Sequence, residues 1–131
     1  MIIADTSVWV DYLNGTMNTQ TDLLDQCLLD GTVAMGDLIL LEILQGIKDD
    51  KQFETVKSKL SLLEQHSMLN HGLALKSAQN YRKLRKKGIT IRKTNDVIIA
   101  SFCIQQHISL LFTDRDFMPF VKHLKLKPVL F

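Results

Sequence analysis

Apolar positions along the chain recur at two spacings. Short, nearly continuous runs at 2–5, 33–35, 108–113 ("ISLLFT") and 127–131 ("KPVLF") have the length and content of buried strands. Longer stretches repeat every three to four residues and predict helices. Thr6 or Ser7 can cap a helix running to about Leu13, and Asn14-Gly15 ends it. A second helix fits 18–30, with Leu23, Leu24, Cys27 and Leu28 on one face and Gly31 as its stop. Asp37 caps "LILLEILQGI", and 50–63 carries Phe53, Val56, Leu60 and Leu63 at core spacing. An extended piece at 64–68 precedes a long amphipathic helix from about 71 to 87, ended by Gly88. A further helix covers 95–106, and "DRDFMPF" turns into a short one. Apolar strands alternating with helices specify an α/β fold, a mainly parallel twisted sheet with helices on both faces.

Ligands of such sheets bind beyond the carboxyl ends of the strands. Asp5 follows the first strand and Asp114 follows "ISLLFT", so both are expected at the top of one sheet. A carboxylate at a buried strand end loses hydration and needs a helix N-terminus, a basic side chain or a cation as partner. Glu42 is the only charge within "LILLEILQGI", a helix apolar almost all round and therefore expected to be largely buried. By itself it fits equally well on a narrow polar stripe with Asp37 and Gln45. Asp96 opens the helix "NDVIIASFCI", where capping alone accounts for an aspartate. As a set, however, these four acids fall where an α/β sheet can gather them into one pocket. Carboxylates that crowd together repel unless a cation joins them, and an all-oxygen cluster suits Mg²⁺ or Mn²⁺.

The 131 residues fit one domain, 1–131, and the composition, 46% hydrophobic and 23% charged, is that of a globular protein. No apolar run approaches a membrane span, and no basic segment precedes an apolar one at the start, so a cytoplasmic location is expected. Cys27 and Cys103 lack metal or disulfide spacing and are expected to be free thiols. The net charge of +2 conceals a division of the chain. Residues 1–47 hold seven acids and no Lys or Arg, whereas 65–95 hold eight Lys or Arg and no acid. Such blocks are found on solvated helix faces and on proteins with polyanionic partners.

Four segments, "IIADTSVWVDYL", "LLEILQGI", "GITIRKTNDVIIASFCI" and "LLFTDRDFMPF", together resemble the PIN-domain ribonucleases, most closely the VapC-type toxins of bacterial toxin–antitoxin pairs. The resemblance covers essentially the whole chain and implies a PIN-like three-layer sandwich. It also implies Mg²⁺-dependent endoribonuclease activity, with Mn²⁺ as a substitute, that inhibits translation by cutting structured RNA such as tRNA or rRNA. Carried onto this chain, Asp5 and Asp96 are the principal metal ligands and Glu42 holds the attacking water and helps deprotonate it. Asp114 completes the cluster or positions a second ion. Asp116 is the other candidate for the last acid, and is expected rather to cap the turn that follows. Thr6, Ser7 and Thr113 are expected to hydrogen-bond around the acids. Arg85, Lys86, Lys87, Arg92 and Lys93 are expected to lead the RNA backbone towards the metal. The resemblance further implies a homodimer and a cognate VapB-type antitoxin whose peptide reaches the acidic site.

Other readings of the acids fit less well. A phosphotransfer domain would need an acidic pair beside the first strand and its Lys-Pro after the last one, whereas Lys127-Pro128 precedes "VLF". A phosphatase of the haloacid dehalogenase type wants an aspartate where Ser7 stands, and neither accounts for Glu42. A non-catalytic RNA-binding or regulatory PIN module is the remaining alternative, distinguished by absence of metal-dependent cleavage.

Overall fold

β1 (Ile2–Ala4) occupies the interior of a sheet in which every pairing is parallel. The computed structural model describes residues 1–129. After β1 come α1 (Thr6–Leu13), α2 (Thr19–Leu29), β2 (Val33–Gly36), α3 (Asp37–Gln45) and α4 (Asp50–Leu60). β3 (Glu64–His66), α5 (His71–Lys86), α6 (Thr94–Gln106) and β4 (Ser109–Leu111) follow, then a 3-10 turn (Arg115–Phe117) and α7 (Met118–Leu124). The strand order is β3-β2-β1-β4. Because the chain moves outward from β1 to β3 and then returns to β1's other side with β4, the order reverses between β1 and β4. That reversal opens the crevice where α/β sheets bind ligands.

Ile3, Ala4, Ala34, Met35, Leu110 and Leu111 are entirely buried, as a sheet covered by helices on both faces requires. The expected strand at 127–131 is reduced among the described residues to one parallel bridge, Leu110 to Pro128. Leu110 N–H donates to the Lys127 carbonyl and Val129 N–H to the Leu110 carbonyl, both at 2.9 Å. Proline has no N–H to extend the ladder. Leu130 and Phe131, the end of that expected strand, lie outside the described residues.

α6 is the helix that the core surrounds most completely, with every residue from Asp96 to Cys103 buried. It lies against α5, where the Asn80 amide donates to the Ser101 hydroxyl at 2.9 Å inside the core. α3 differs from expectation. Only Ile39 and Ile43 are buried, and Leu41 is 55% exposed, because one face of this helix packs on the molecule and the other does not. Its cap differs too. Gly36 takes the N-cap position, while Asp37 accepts N–H groups from Leu38 (2.8 Å) and Met68 (3.0 Å), tying α3 to the segment after β3. Both cysteines are free, Cys103 buried and Cys27 half-buried.

Gly36 marks a close approach in the sheet. A Cβ there would overlap the thioether of Met68, a side chain with no exposed surface and so no room to swing aside. Gly36→Ala is expected to cost about 1–3 kcal/mol of stability in urea denaturation. A double-mutant cycle with Met68→Ala should recover much of that cost, and additive losses would place its cause elsewhere.

Candidate active site

The parallel register Ala4–Leu111 brings the ends of β1 and β4 side by side, and Asp5 N–H donates to the Leu111 carbonyl at 2.8 Å. Asp5 is thus the first residue beyond the ladder. It is also the N-cap of α1, the position expected of Thr6 or Ser7. Its backbone is extended (φ −66°, ψ 158°), and Oδ2 accepts the Ser7 hydroxyl at 2.9 Å and the Ser7 N–H at 3.5 Å. Of the three partners a buried strand-end aspartate can have, the fold supplies the helix N-terminus. The Ser7 hydroxyl also lies 3.2 Å from that of Thr113, which bridges the ends of β1 and β4. Thr6 donates to Glu42 Oε1 at 2.7 Å, so the half-buried Glu42 is drawn from α3 towards the start of α1. Neither of its expected stripe companions shares this bond, since Asp37 is engaged elsewhere.

Asp96 lies in the first turn of α6 and does not cap it. Lys93 is the N-cap residue, and no side chain closes that helix end. Capping, which would by itself explain an aspartate here, is therefore not its role. The residue is 6% exposed, and its Oδ2 is buried with no hydrogen-bond partner. Burial pushes the Asp96 carboxyl up to about 7. After burial the charge of Asp5 is the next largest contribution to that rise, Lys93 opposes it, and Asp114 and Glu42 add further. Asp5 is likewise raised by burial, against the lowering effect of its bonds from Ser7 and Thr6, and Glu42 adds a little. The four acids named from the sequence therefore share one electrostatic neighbourhood. Cys103, behind them, is pushed up to about 12 by burial and by Asp5, which leaves it an inert thiol.

Asp114 and Asp116 both belong to the site, and Asp114 also takes the capping role expected of Asp116. Asp114 caps the 3-10 turn, accepting the Asp116 N–H at 2.9 Å. Asp116 turns back to the site and meets Arg92, whose Nη2 and Nε lie 3.2 and 3.4 Å from its Oδ2. The tight turn "TDRDF" puts the cap on Asp114, because the capping oxygen must precede the N–H it accepts. Asp96, Asp114 and Asp116 each offer a carboxylate oxygen within 4.8 Å of the others. The donor set is all oxygen, and a buried carboxylate oxygen in it lacks any partner. Both features fit a hard divalent cation. Sequence reasoning missed the Arg92–Asp116 pair. Its one available sign was an arginine close before Asp96 facing two acids close after β4.

The basic residues differ in their relation to this site. Arg85 and Lys86 occupy the last turn of α5, where cations suit the helix dipole, and Arg85 also lies over the Tyr81 ring. Lys87 follows at the C-cap, and Gly88 reverses the chain with φ +82°. Arg92 and Lys93 lie beside the acids, and all five basic side chains are exposed.

The PIN domain family matches residues 2–120, and this chain belongs to that family. Among its relatives are VapC ribonuclease Mb1587 of Mycobacterium bovis and ribonuclease VapC11 of Mycobacterium tuberculosis. Each is 30% identical over 120 residues, covering 89% of both chains. Within the family the chain is accordingly of the VapC type. The fold matches VapBC2 from Rickettsia felis, solved bound to a DNA fragment from its promoter, with TM-score 0.77, 22% identity and 98% of each chain covered. It also matches FitAcB from Neisseria gonorrhoeae, with TM-score 0.71 and 17% identity over 99% of this chain and 97% of that one. Among the described residues no helix is long and apolar enough to cross a membrane.

The raised carboxyl of Asp96 gives stability a definite pH dependence without metal. An unfolded aspartate releases its proton near 3.8, whereas the folded one keeps it to about 7. Folding therefore takes up a proton between those values, and stability falls as pH rises through that window. In thermal melts with EDTA, the metal-free protein should lose a few kcal/mol from pH 4 to 7, and Asp96→Asn should lose distinctly less. A wild-type profile indistinguishable from that of the variant would contradict the burial of an unpaired charge here.

Proposed function

We propose that this chain, as one PIN domain spanning 1–131, is a divalent-metal-dependent endoribonuclease and the toxin of a VapBC-type pair, located in the cytoplasm. The observation that carries this reading is the unpartnered, buried oxygen of Asp96 amid Asp5, Glu42, Asp114 and Asp116. Asp5 and Asp96 are the principal ligands of Mg²⁺, for which Mn²⁺ can substitute, with Glu42, Asp114 and Asp116 as secondary ones. When bound, the cation neutralises this cluster and stabilises the charge that develops on the phosphoryl group.

The remaining steps belong to the chain's own side chains. Glu42, oriented by the Thr6 hydroxyl, accepts the proton of a water that attacks phosphorus. One P–O bond of the backbone breaks, leaving a phosphate on one fragment and a hydroxyl on the other. Ser7 and Thr113 hold Asp5 and the strand ends in place, which limits the reorganisation needed during the reaction. Arg85, Lys86, Lys87, Arg92 and Lys93 attract and align the RNA backbone. Contacts of this kind give affinity and salt dependence more than sequence choice. The named VapC ribonucleases support the activity, and the VapBC assemblies among the structural relatives support a VapB-type partner. A homodimer is proposed on the family likeness, and structured RNA, tRNA or rRNA, as the substrate whose loss stops translation.

Cleavage of total cellular RNA by the purified protein tests this reading. Sharp fragments are expected with Mg²⁺ or Mn²⁺ and none with EDTA. Asp5→Asn or Asp96→Asn should reduce the rate by at least about 100-fold while the fold is retained. Cleavage that persists in both variants would overturn the assignment of the acids. The absence of metal-dependent cleavage from antitoxin-free protein would favour a binding module instead. Lys86→Glu with Lys87→Glu should weaken RNA binding and lower the slope of log affinity against log salt by roughly one to two. An unchanged slope would place this end of α5 away from the substrate.

A further inference from the structure

Arg92 is the basic side chain in direct contact with the acid cluster, and its environment separates it from the other cations of the basic block. It follows Ile91, which is buried, and precedes Lys93, the N-cap residue of α6. The backbone on both sides of Arg92 is therefore anchored. The side chain itself is 76% exposed, whereas its partner Asp116 is 27% exposed. Two guanidinium nitrogens converge on a single oxygen, Asp116 Oδ2, at 3.2 and 3.4 Å, rather than forming the fork that uses both oxygens. A long single-oxygen contact between a solvated arginine and a half-buried acid is weak and reversible. The same Asp116 contributes an oxygen to the group within 4.8 Å that includes Asp96, whose own Oδ2 is buried and unpartnered.

We propose that Arg92 is a built-in competitor for the cation at Asp116. This rests on the acid-site reading above and adds a regulation to it. In the metal-free protein the guanidinium supplies positive charge to a half-buried acid of the cluster. When Asp116 joins the ligands of the cation, it exchanges that guanidinium for the cation. No loop need move, because the backbone flanking Arg92 is fixed and only its side chain swings outward. The pair sets an upper limit on cation affinity, and it leaves Arg92 unpaired only when the site is loaded.

Calorimetric titration with Mn²⁺ alone, without RNA, tests this. The proteins compared are wild type, Arg92→Gln, Arg92→Lys, Lys93→Gln and Asp116→Asn, and each arginine or lysine variant combined with Asp116→Asn. Thermal melts verify that each is folded. Removing any nearby positive charge raises cation affinity somewhat, and Lys93→Gln measures that general effect, which should persist beside Asp116→Asn. Arg92→Gln should tighten Mn²⁺ binding by up to roughly fivefold, Arg92→Lys by less, and the gain should vanish beside Asp116→Asn. An Arg92→Gln affinity equal to or weaker than wild type would overturn the competition, as would a gain that survives Asp116→Asn undiminished. A wild-type protein that binds no Mn²⁺ would remove the acid-site reading and this proposal together. Wild-type binding that is lost in Asp96→Asn yet indifferent to Arg92 would leave the acid site standing and overturn this proposal alone.

Discussion

The pairing of Ala4 with Leu111 is where the architecture and the chemistry of this protein meet. That register aligns the ends of β1 and β4, and the strand order reverses between them. Asp5 emerges from one strand and the Thr113–Asp116 turn from the other. α6, which returns the chain to β4, begins beside both of them. A slip of one residue would turn Asp5 towards the other face of the sheet and dissolve the constellation. The buried apolar faces of β1 and β4 resist such a slip, so the core fixes the site.

What the core places there is electrostatically unfavourable for the fold alone. Asp96 sits in the first turn of the most deeply buried helix without using that position to cap it, and Asp5 and Glu42 are near enough to raise its proton affinity. The surrounding hydroxyls partly relieve the crowding. Thr6 takes Glu42, and Ser7 takes Asp5 while touching Thr113. None reaches Asp96 Oδ2. A fold selected only for stability would fill that position with an apolar or capping residue. Retaining a buried, unsatisfied acid among other acids is the pattern expected where a cation completes the set.

In three dimensions the basic block reaches the acidic centre at Arg92 and Lys93. Part of the basic block also serves the fold, since Arg85 and Lys86 complement the C-terminal dipole of α5 and Arg85 covers Tyr81. Arg92 is engaged with Asp116. The basic block is thus not one uniform surface. Its members differ in what they must give up before they can meet a phosphate.

The sequence by itself determined the parallel α/β class, the order of the elements and four acids worth examining. Hydrophobic spacing and the residues at strand ends are local properties, and they survive in one dimension. Helix boundaries at Leu13, Leu29 and Lys86 lie within a residue or so of those signalled by glycine and asparagine stops. Resemblance to the PIN family supplied the roles of the acids, which spacing alone left open. Only the tertiary structure decided that Asp5 caps α1, that α3 keeps an exposed apolar side, and that Asp114 rather than Asp116 caps the turn while both join the site. Other details of the site depend on partners far along the chain: Thr6 for Glu42, Met68 for Asp37, Arg92 for Asp116. A hydrogen bond or ion pair selects among chemically similar residues by position to within an ångström, and position at that scale exists only once the chain has folded.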